Sequence, residues 1–169
     1  MNIGRNDIDW RNLSHDEIDR IIAERIEADD RRIEASGGKK PKRVGYILER
    51  IAEINNLREA DREAQDGKVK KNRFIRRHNL HPEEDLRALQ LMILTLDFPA
   101  PDYSVMKVRS DAGKVRDIVK QKYFPWRILH HAIMRVIGED IYKSLIYDTS
   151  ACIKGKGLHF GVRRMKSFL

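Results

Sequence analysis

Lys114 and Arg116 stand two residues apart in GKVRDI, and Arg127 follows in FPWRIL. Residues two apart on a β-strand project from one face, so this pair, next to a hairpin turn, presents two cations to a single ligand. With Arg127 at the start of the following helix the three form a set suited to phosphates, Arg by bidentate contacts and Lys as a point charge. A second basic stretch, GKVKKNRFIRR, places Lys68, Lys70, Lys71 and Arg73 among six Lys and Arg between positions 68 and 77, with no acid. In isolation such a run reads as a solvated connector, and as part of a larger surface it reads as a contact to a polyanion backbone. A third stretch, ACIKGKGLHFGVRR, sets Lys154, Gly155, Lys156 and Gly157 in a flexible basic loop ahead of His159 and Arg163.

Other reactive residue types lead less far. Asp29 and Asp30 are the one Asp-Asp pair, but they sit inside a charged helical stretch and read as a solvated face. His130 and His131 are adjacent, so on a helix they point about 100° apart and cannot hold one metal together. One is expected to pack and the other to be exposed. Tyr123, Phe124 and Trp126 could stack on a base or anchor the hairpin onto the next helix. The single cysteine, Cys152, has no disulfide partner and no neighbours at zinc spacing, and reads as a small structural residue.

The elements that would carry these groups are mostly helices. Ser14 with Glu17 forms a capping box, and Leu13 with Ile18 a hydrophobic staple, so a helix starts there and runs through Ile22, Ile26 and Ile33 to Ser36. It is either peripheral or dimerising, its apolar stripe being broken at Arg25 and Asp29. One continuous helix is expected over 44–65 on the stripe Ile47, Leu48, Ile51, Ile54, Leu57 and Ala60, stopped by Gly67. Pro82 opens a core helix that is acidic in its first turn. Val105 and Val108, then the turn 110–113, then Val115, Ile118 and Val119 form a hairpin. Pro125 starts a helix through Ile128, Leu129, Ala132 and Ile133. One further short strand is expected near 145–147, and a final helix begins at Leu158. The fold class is therefore α+β and predominantly helical.

Bulk composition supports a globular chain with solvated helix faces: 41% of the 169 residues are hydrophobic and 36% charged, the latter well above the roughly 25% of an average domain. Net charge is +8, unevenly placed. Residues 1–66 carry 13 Lys and Arg against 16 Asp and Glu, and residues 67–169 carry 21 against 10. A half with a balance of +11 attracts nucleic acid first. No uninterrupted apolar run approaches membrane-spanning length, and MNIGRNDIDW has no signal-peptide core, so the expectation is a cytoplasmic protein with no membrane partner.

Three separated blocks also agree, in order, with a known family. NLREADREAQDGK at 56–68, GKVRDIVKQKYFPWRILHHAIMRVI at 113–137 and IYDTSACIKGKGLHFGVRRMKSFL at 146–169 resemble the N-terminal part of bacterial reverse transcriptases related to group II introns, retrons and diversity-generating retroelements. There a Lys-x-Arg-x-Ile hairpin precedes a proline, an Asp-Arg pair and a helix often containing His-His-Ala, and a glycine-bearing block ending in His follows. Trp126 stands where the family usually has Asp, and Ile153 where a basic residue is common. The resemblance implies a helical extension over 1–43 and a fingers-like part of a right-hand polymerase over 44–169. It implies that Lys114, Arg116 and Arg127 meet the triphosphate of an incoming dNTP. It likewise implies that the glycine-bearing loop, Lys154, Gly155, Lys156 and Gly157 with His159, lies along template RNA; by their basic charge Lys68, Lys70, Lys71, Arg73 and Arg163 are expected to join them, with DNA a second possible partner. The family's Mg2+-binding palm aspartates lie beyond the last matching block, so this chain is expected to carry no cofactor and no catalytic residue, to be inactive alone, and to pair with a separate palm-bearing polypeptide if it works in two pieces. The alternative is a stand-alone RNA-binding or accessory module.

Overall fold

The computed structural model describes residues 8–36, 45–69, 72–109, 113–150, 153 and 155–168. Lys70, Lys71, Cys152 and Lys154 therefore lie outside the described residues. The chain divides into two compact units, Met1–Val136 and Ile137–Leu169.

In the first unit a 3-10 turn, Trp10–Asn12, leads to helix α1, His15–Ala35. The capping box forms as expected: the Glu17 carboxylate accepts from the Ser14 N–H at 2.8 Å, and Ser14 Oγ accepts from the Glu17 N–H at 3.4 Å. Ile18 and Ile22 enter the core. Arg25 does not simply interrupt the stripe. Its guanidinium lies 5.7 Å from the centre of the Trp10 ring and 5.6 Å from that of Tyr46, and donates to Glu49 at 2.6 Å.

Asp29 corrects the expectation of a solvated face, for it is only 3% exposed. Its carboxylate accepts from Arg32 at 2.6 Å, from the Gly45 N–H at 3.1 Å and from Arg50 at 3.3 Å, so burial is compensated by three donors. Arg50 also bonds Asp30 at 2.6 Å. A β-carbon on Gly45 would lie 2.7 Å from Asp29 Oδ1, which is why no side chain fits there.

The single helix expected over 44–65 is two: α2, Ile47–Ala52, and α3, Ile54–Gln65, separated at Glu53, whose backbone is extended (φ −56°, ψ 129°). The break frees carbonyls that a continuous helix would have used, and side chains take them up. Gln90, 1% exposed, donates to the Ala52 carbonyl at 3.0 Å, and Asn56 donates to the Ile51 carbonyl at 3.1 Å. The apolar stripe nonetheless continues across the break, burying Ile51, Ile54, Leu57 and Ala60.

The basic stretch after Gly67 is not merely a connector. It contains a short helix, α4, Arg73–His78, capped by Asn72 and seated through buried Ile75 and His78. Helix α5, Pro82–Thr95, begins at its proline with Glu83, Glu84 and Asp85 in the first turn and buries Leu86, Leu89, Ile93 and Leu94. It ends at Leu96 in a left-handed conformation (φ 55°), whose N–H returns to the Ile93 carbonyl.

Strands β1, Tyr103–Arg109, and β2, Val115–Gln121, pair antiparallel in the register Tyr103↔Gln121 to Arg109↔Val115. Nearly every residue of both is exposed. By that register Arg116, Ile118 and Lys120 share a face with Val108, Met106 and Ser104, while Val115, Asp117 and Val119 share the other with Arg109, Lys107 and Val105. Lys122 and Asp102 pair at 2.5 Å beside the open end of the ribbon.

Next comes a wide turn, Tyr123–Arg127, and then helix α6, Ile128–Ser144. Within the turn the one residue with non-helical backbone is Phe124, extended at φ −95°, ψ 138° as the residue before a proline tends to be, so helical backbone begins at Pro125 as expected and continues into α6. Tyr123, Ile128, Leu129 and Ala132 complete the first unit's core. In the second unit residues 145–148 form a turn rather than the short strand expected near 145–147, with the Thr149 N–H donating to the Ile146 carbonyl at 3.0 Å. An isolated bridge joins Ile153 and Lys156, and helix α7 spans Leu158–Lys166. No helix among the described residues is long and apolar enough to cross a membrane.

Candidate nucleic-acid interface

The hairpin places Lys114 immediately before β2 and Arg116 within it, on the face it shares with Lys120. Arg116 is opposite Val108, so no cross-strand carboxylate sits directly beside it. Lys107 and Asp117 are opposite each other on the other face, where cross-strand charge partners attract. The face bearing Arg116 and Lys120 is thus the more uniformly cationic.

Arg127 is at the end of the wide turn, where its charge acts on Tyr123 and His131. His131 is half-buried and His130 exposed, as their adjacency on a helix requires. Burial lowers the His131 pKa below the ordinary imidazole value, and the charges of Arg127 and Lys68 push the same way, against Glu63 at 3.6 Å. The charges of Arg127 and Lys68, from separate stretches of sequence, both act on His131 near the start of α6. Glu63 also pairs with Arg135, and Lys68 Nζ donates to the Ala64 carbonyl at 3.3 Å. An open cleft of about 520 Å3, lined by residues that include Arg62, Asp66 and Val69, adjoins this end of α3.

Arg73 is exposed on α4, its guanidinium 4.9 Å from the centre of the Phe74 ring. What holds α4 in place is a buried polar knot that the sequence reading did not contain. His78 Nδ1 lies 2.7 Å from Asp85 Oδ2, and Nε2 lies 3.2 Å from Asp61 Oδ1, close but poorly aligned for a hydrogen bond. The Tyr123 hydroxyl donates to Asp61 Oδ1 at 2.5 Å, and Gln65 donates to Asp61 Oδ2 at 2.8 Å. Burial opposes charge on both partners, yet the contacts outweigh it: Asp61 is held below the usual carboxylate range and His78 above the usual imidazole value. Burial and the Asp61 carboxylate raise the Tyr123 hydroxyl strongly, so it remains a donor. Tyr123 thus anchors the end of the hairpin to α3, Phe124 stacks on His78 with ring centres 6.2 Å apart, and Trp126 packs on Phe98 at 5.5 Å. Of the two roles open to these aromatics, all three serve as anchors.

In the second unit Gly155, at φ +82°, makes the tight turn between Ile153 and Lys156, a conformation that favours glycine. Gly157 precedes α7, and His159 and Arg163 are exposed on it. Lys156 turns inward instead. Its ammonium donates to the Tyr147 carbonyl at 2.7 Å and lies 4.5 Å from the centre of the Tyr147 ring and 5.2 Å from that of Phe160. Arg164 donates to both Asp148 oxygens, at 2.5 and 3.3 Å, while its guanidinium sits 5.2 Å from the centre of the Tyr147 ring and 5.0 Å from that of Phe168. Tyr147, Asp148, Phe160, Arg164 and Phe168 had not been singled out from sequence. The spacing Phe160, Arg164, Phe168, four residues apart each time, is the signal that could have found them.

Among the described residues no three His, Cys, Asp or Glu side chains converge as metal ligands. The carboxylates of Asp29 and Asp30 are occupied by arginines, and do not fit a divalent-cation centre. No family model matches this chain, and no curated protein matches it.

Proposed function

We propose that this chain holds RNA and the phosphates of an incoming nucleotide, as the fingers-like part of an RNA-directed DNA polymerase of the retroelement type that its sequence resembles. The observation that carries the reading is the exposed two-stranded ribbon with Arg116 and Lys120 on one face, no carboxylate directly opposite Arg116, and Lys114 at its turn end immediately before β2. Its base is fixed by Tyr123 on Asp61, so the ribbon can be presented from a rigid support. Arg127 and Lys68, whose charges both act on His131 near the start of α6, supply a second cationic contact, and the glycine turn with His159 and Arg163 a third. The palm carboxylates that would hold Mg2+ and supply the catalytic chemistry would belong to a separate polypeptide or another segment.

The test is titration of labelled single-stranded RNA at a series of salt concentrations. Each phosphate neutralised contributes about −0.7 to the slope of log affinity against log salt for single strands. Replacing Lys114 and Arg116 together by Gln should reduce the slope by about 1.4 and leave the fold intact. Absence of RNA binding at low salt, or a slope indifferent to both substitutions, would refute the role given to the hairpin.

A further inference from the structure

Every ring and cation of the cluster in the second unit comes from a stretch with little negative charge. Between residues 145 and 168 the described basic residues are Lys156, Arg163, Arg164 and Lys166, and the described acid is Asp148 alone. Asp148 is spoken for by Arg164, which holds its carboxyl below the usual range. The cluster could be a small core for this unit, but a core would hide its rings. Tyr147 is 65% exposed and Phe168 71% exposed, although Arg164 lies close to both.

Flat exposed rings set among cations, with a guanidinium fixed between them, match the needs of a single strand of nucleic acid. Bases stack on aromatic faces whatever their identity, while neighbouring cations follow the phosphates. We infer that Tyr147 and Phe168 are base-stacking residues for single-stranded RNA, with Arg164 the positioning residue that spaces them and Arg163 and Lys166 the phosphate contacts. Asp148 keeps Arg164 in place by its two hydrogen bonds, and Lys156 orients Tyr147 through the ring face and the backbone carbonyl. This assignment rests on the RNA-holding reading above and adds to it a contact with bases, where the sequence motif had offered only cations and glycines.

The experiment compares binding of the full chain to oligouridylate and to an abasic ribose-phosphate oligomer of equal length. The expected result is tighter binding of the base-bearing strand, by about fivefold or more for each stacked base. Tyr147→Leu and Phe168→Leu keep apolar bulk but remove the flat π face; each should shrink that preference while leaving affinity for the abasic strand and the far-ultraviolet circular dichroism unchanged. Arg163→Gln with Lys166→Gln should weaken both strands equally and preserve the preference. Equal affinity of the unaltered chain for the two oligomers would overturn the stacking assignment while the RNA-holding reading stands. So would a preference untouched by both leucine substitutions, or one abolished by the Arg163 and Lys166 changes. Failure to bind either oligomer would overturn both readings.

Discussion

Replacing His78 by phenylalanine removes the imidazole from between Asp61 and Asp85 while leaving a ring to fill the space beside Tyr123 and Phe124. Losing one partner of a buried ion pair costs about 3–5 kcal/mol when the other charge is stranded. Here the stranding is partial: Asp61 keeps Tyr123 and Gln65 as donors, and the Asp85 side chain is 33% exposed. The loss should therefore fall at about 2–3 kcal/mol near pH 6, a large share of a typical domain's stability of about 5–15 kcal/mol. The sign of the pH dependence is the sharper part. The folded-state pKa of His78 is raised, so its contribution is complete below the ordinary value of 6.5 and is lost as pH climbs through the raised value. That of Asp61 is lowered, so its contribution is complete above the ordinary value of 3.8 and is lost as pH falls through the lowered one. Between those limits the knot is at full strength. His131 has the opposite sign, its pKa being lowered, but its effect is confined below 6.5. Urea unfolding at successive pH values should show the unaltered chain losing stability above pH 6.5 and His78→Phe losing less, with the gap between them narrowing to about 1 kcal/mol once a neutral His78 keeps a single hydrogen bond. Parallel pH profiles for the two proteins above 6.5 would refute the reasoning.

Two further substitutions test how the first unit is fastened. Gly45→Ala would press a β-carbon to 2.7 Å from Asp29 Oδ1, in a carboxylate that Arg32 holds at one oxygen and Arg50 at the other, and should cost about 1–3 kcal/mol in denaturant unfolding. Gln90→Leu keeps the bulk of the side chain but leaves the Ala52 carbonyl without its donor, and should cost about 1–3 kcal/mol by the same measurement.

What the sequence revealed and what it hid divide along a physical line. Local signals were legible: the Ser14 capping box, Pro82 at a helix start, and the β-branched alternation on either side of the hairpin turn each arise within a few neighbouring residues. Hidden were features decided by a side chain from elsewhere. The apolar stripe from Ile47 to Ala60 is compatible with one helix or two, and the break at Glu53 depends on Gln90, far along the chain, to meet the freed Ala52 carbonyl. Asp29 looked like a solvated charge because Gly45 and Arg50, which bury it, are distant in sequence. For the candidate interface, position along the chain gave the hairpin pair but not the shared effect of Arg127 and Lys68 on His131. In the basic run at 68–77 the charges concealed the buried anchors, Ile75 and His78, that seat α4.

The ribbon has another property that its charges decide. Among the described residues β1 and β2 form a sheet of only two strands, so each has an outer edge with backbone groups that could accept a further strand. Val105, Val115 and Val119, all exposed on one face, would reward such an addition. Opposing it are Lys107, Arg109, Lys114, Arg116 and Lys120, since two copies meeting edge to edge would bring like charges together. The cations proposed above as phosphate contacts would thus also keep the ribbons of separate molecules apart. If the hairpin holds RNA as proposed, a polyanion along one face would cancel that mutual repulsion, and self-association and ligand occupancy would be governed by the same few side chains.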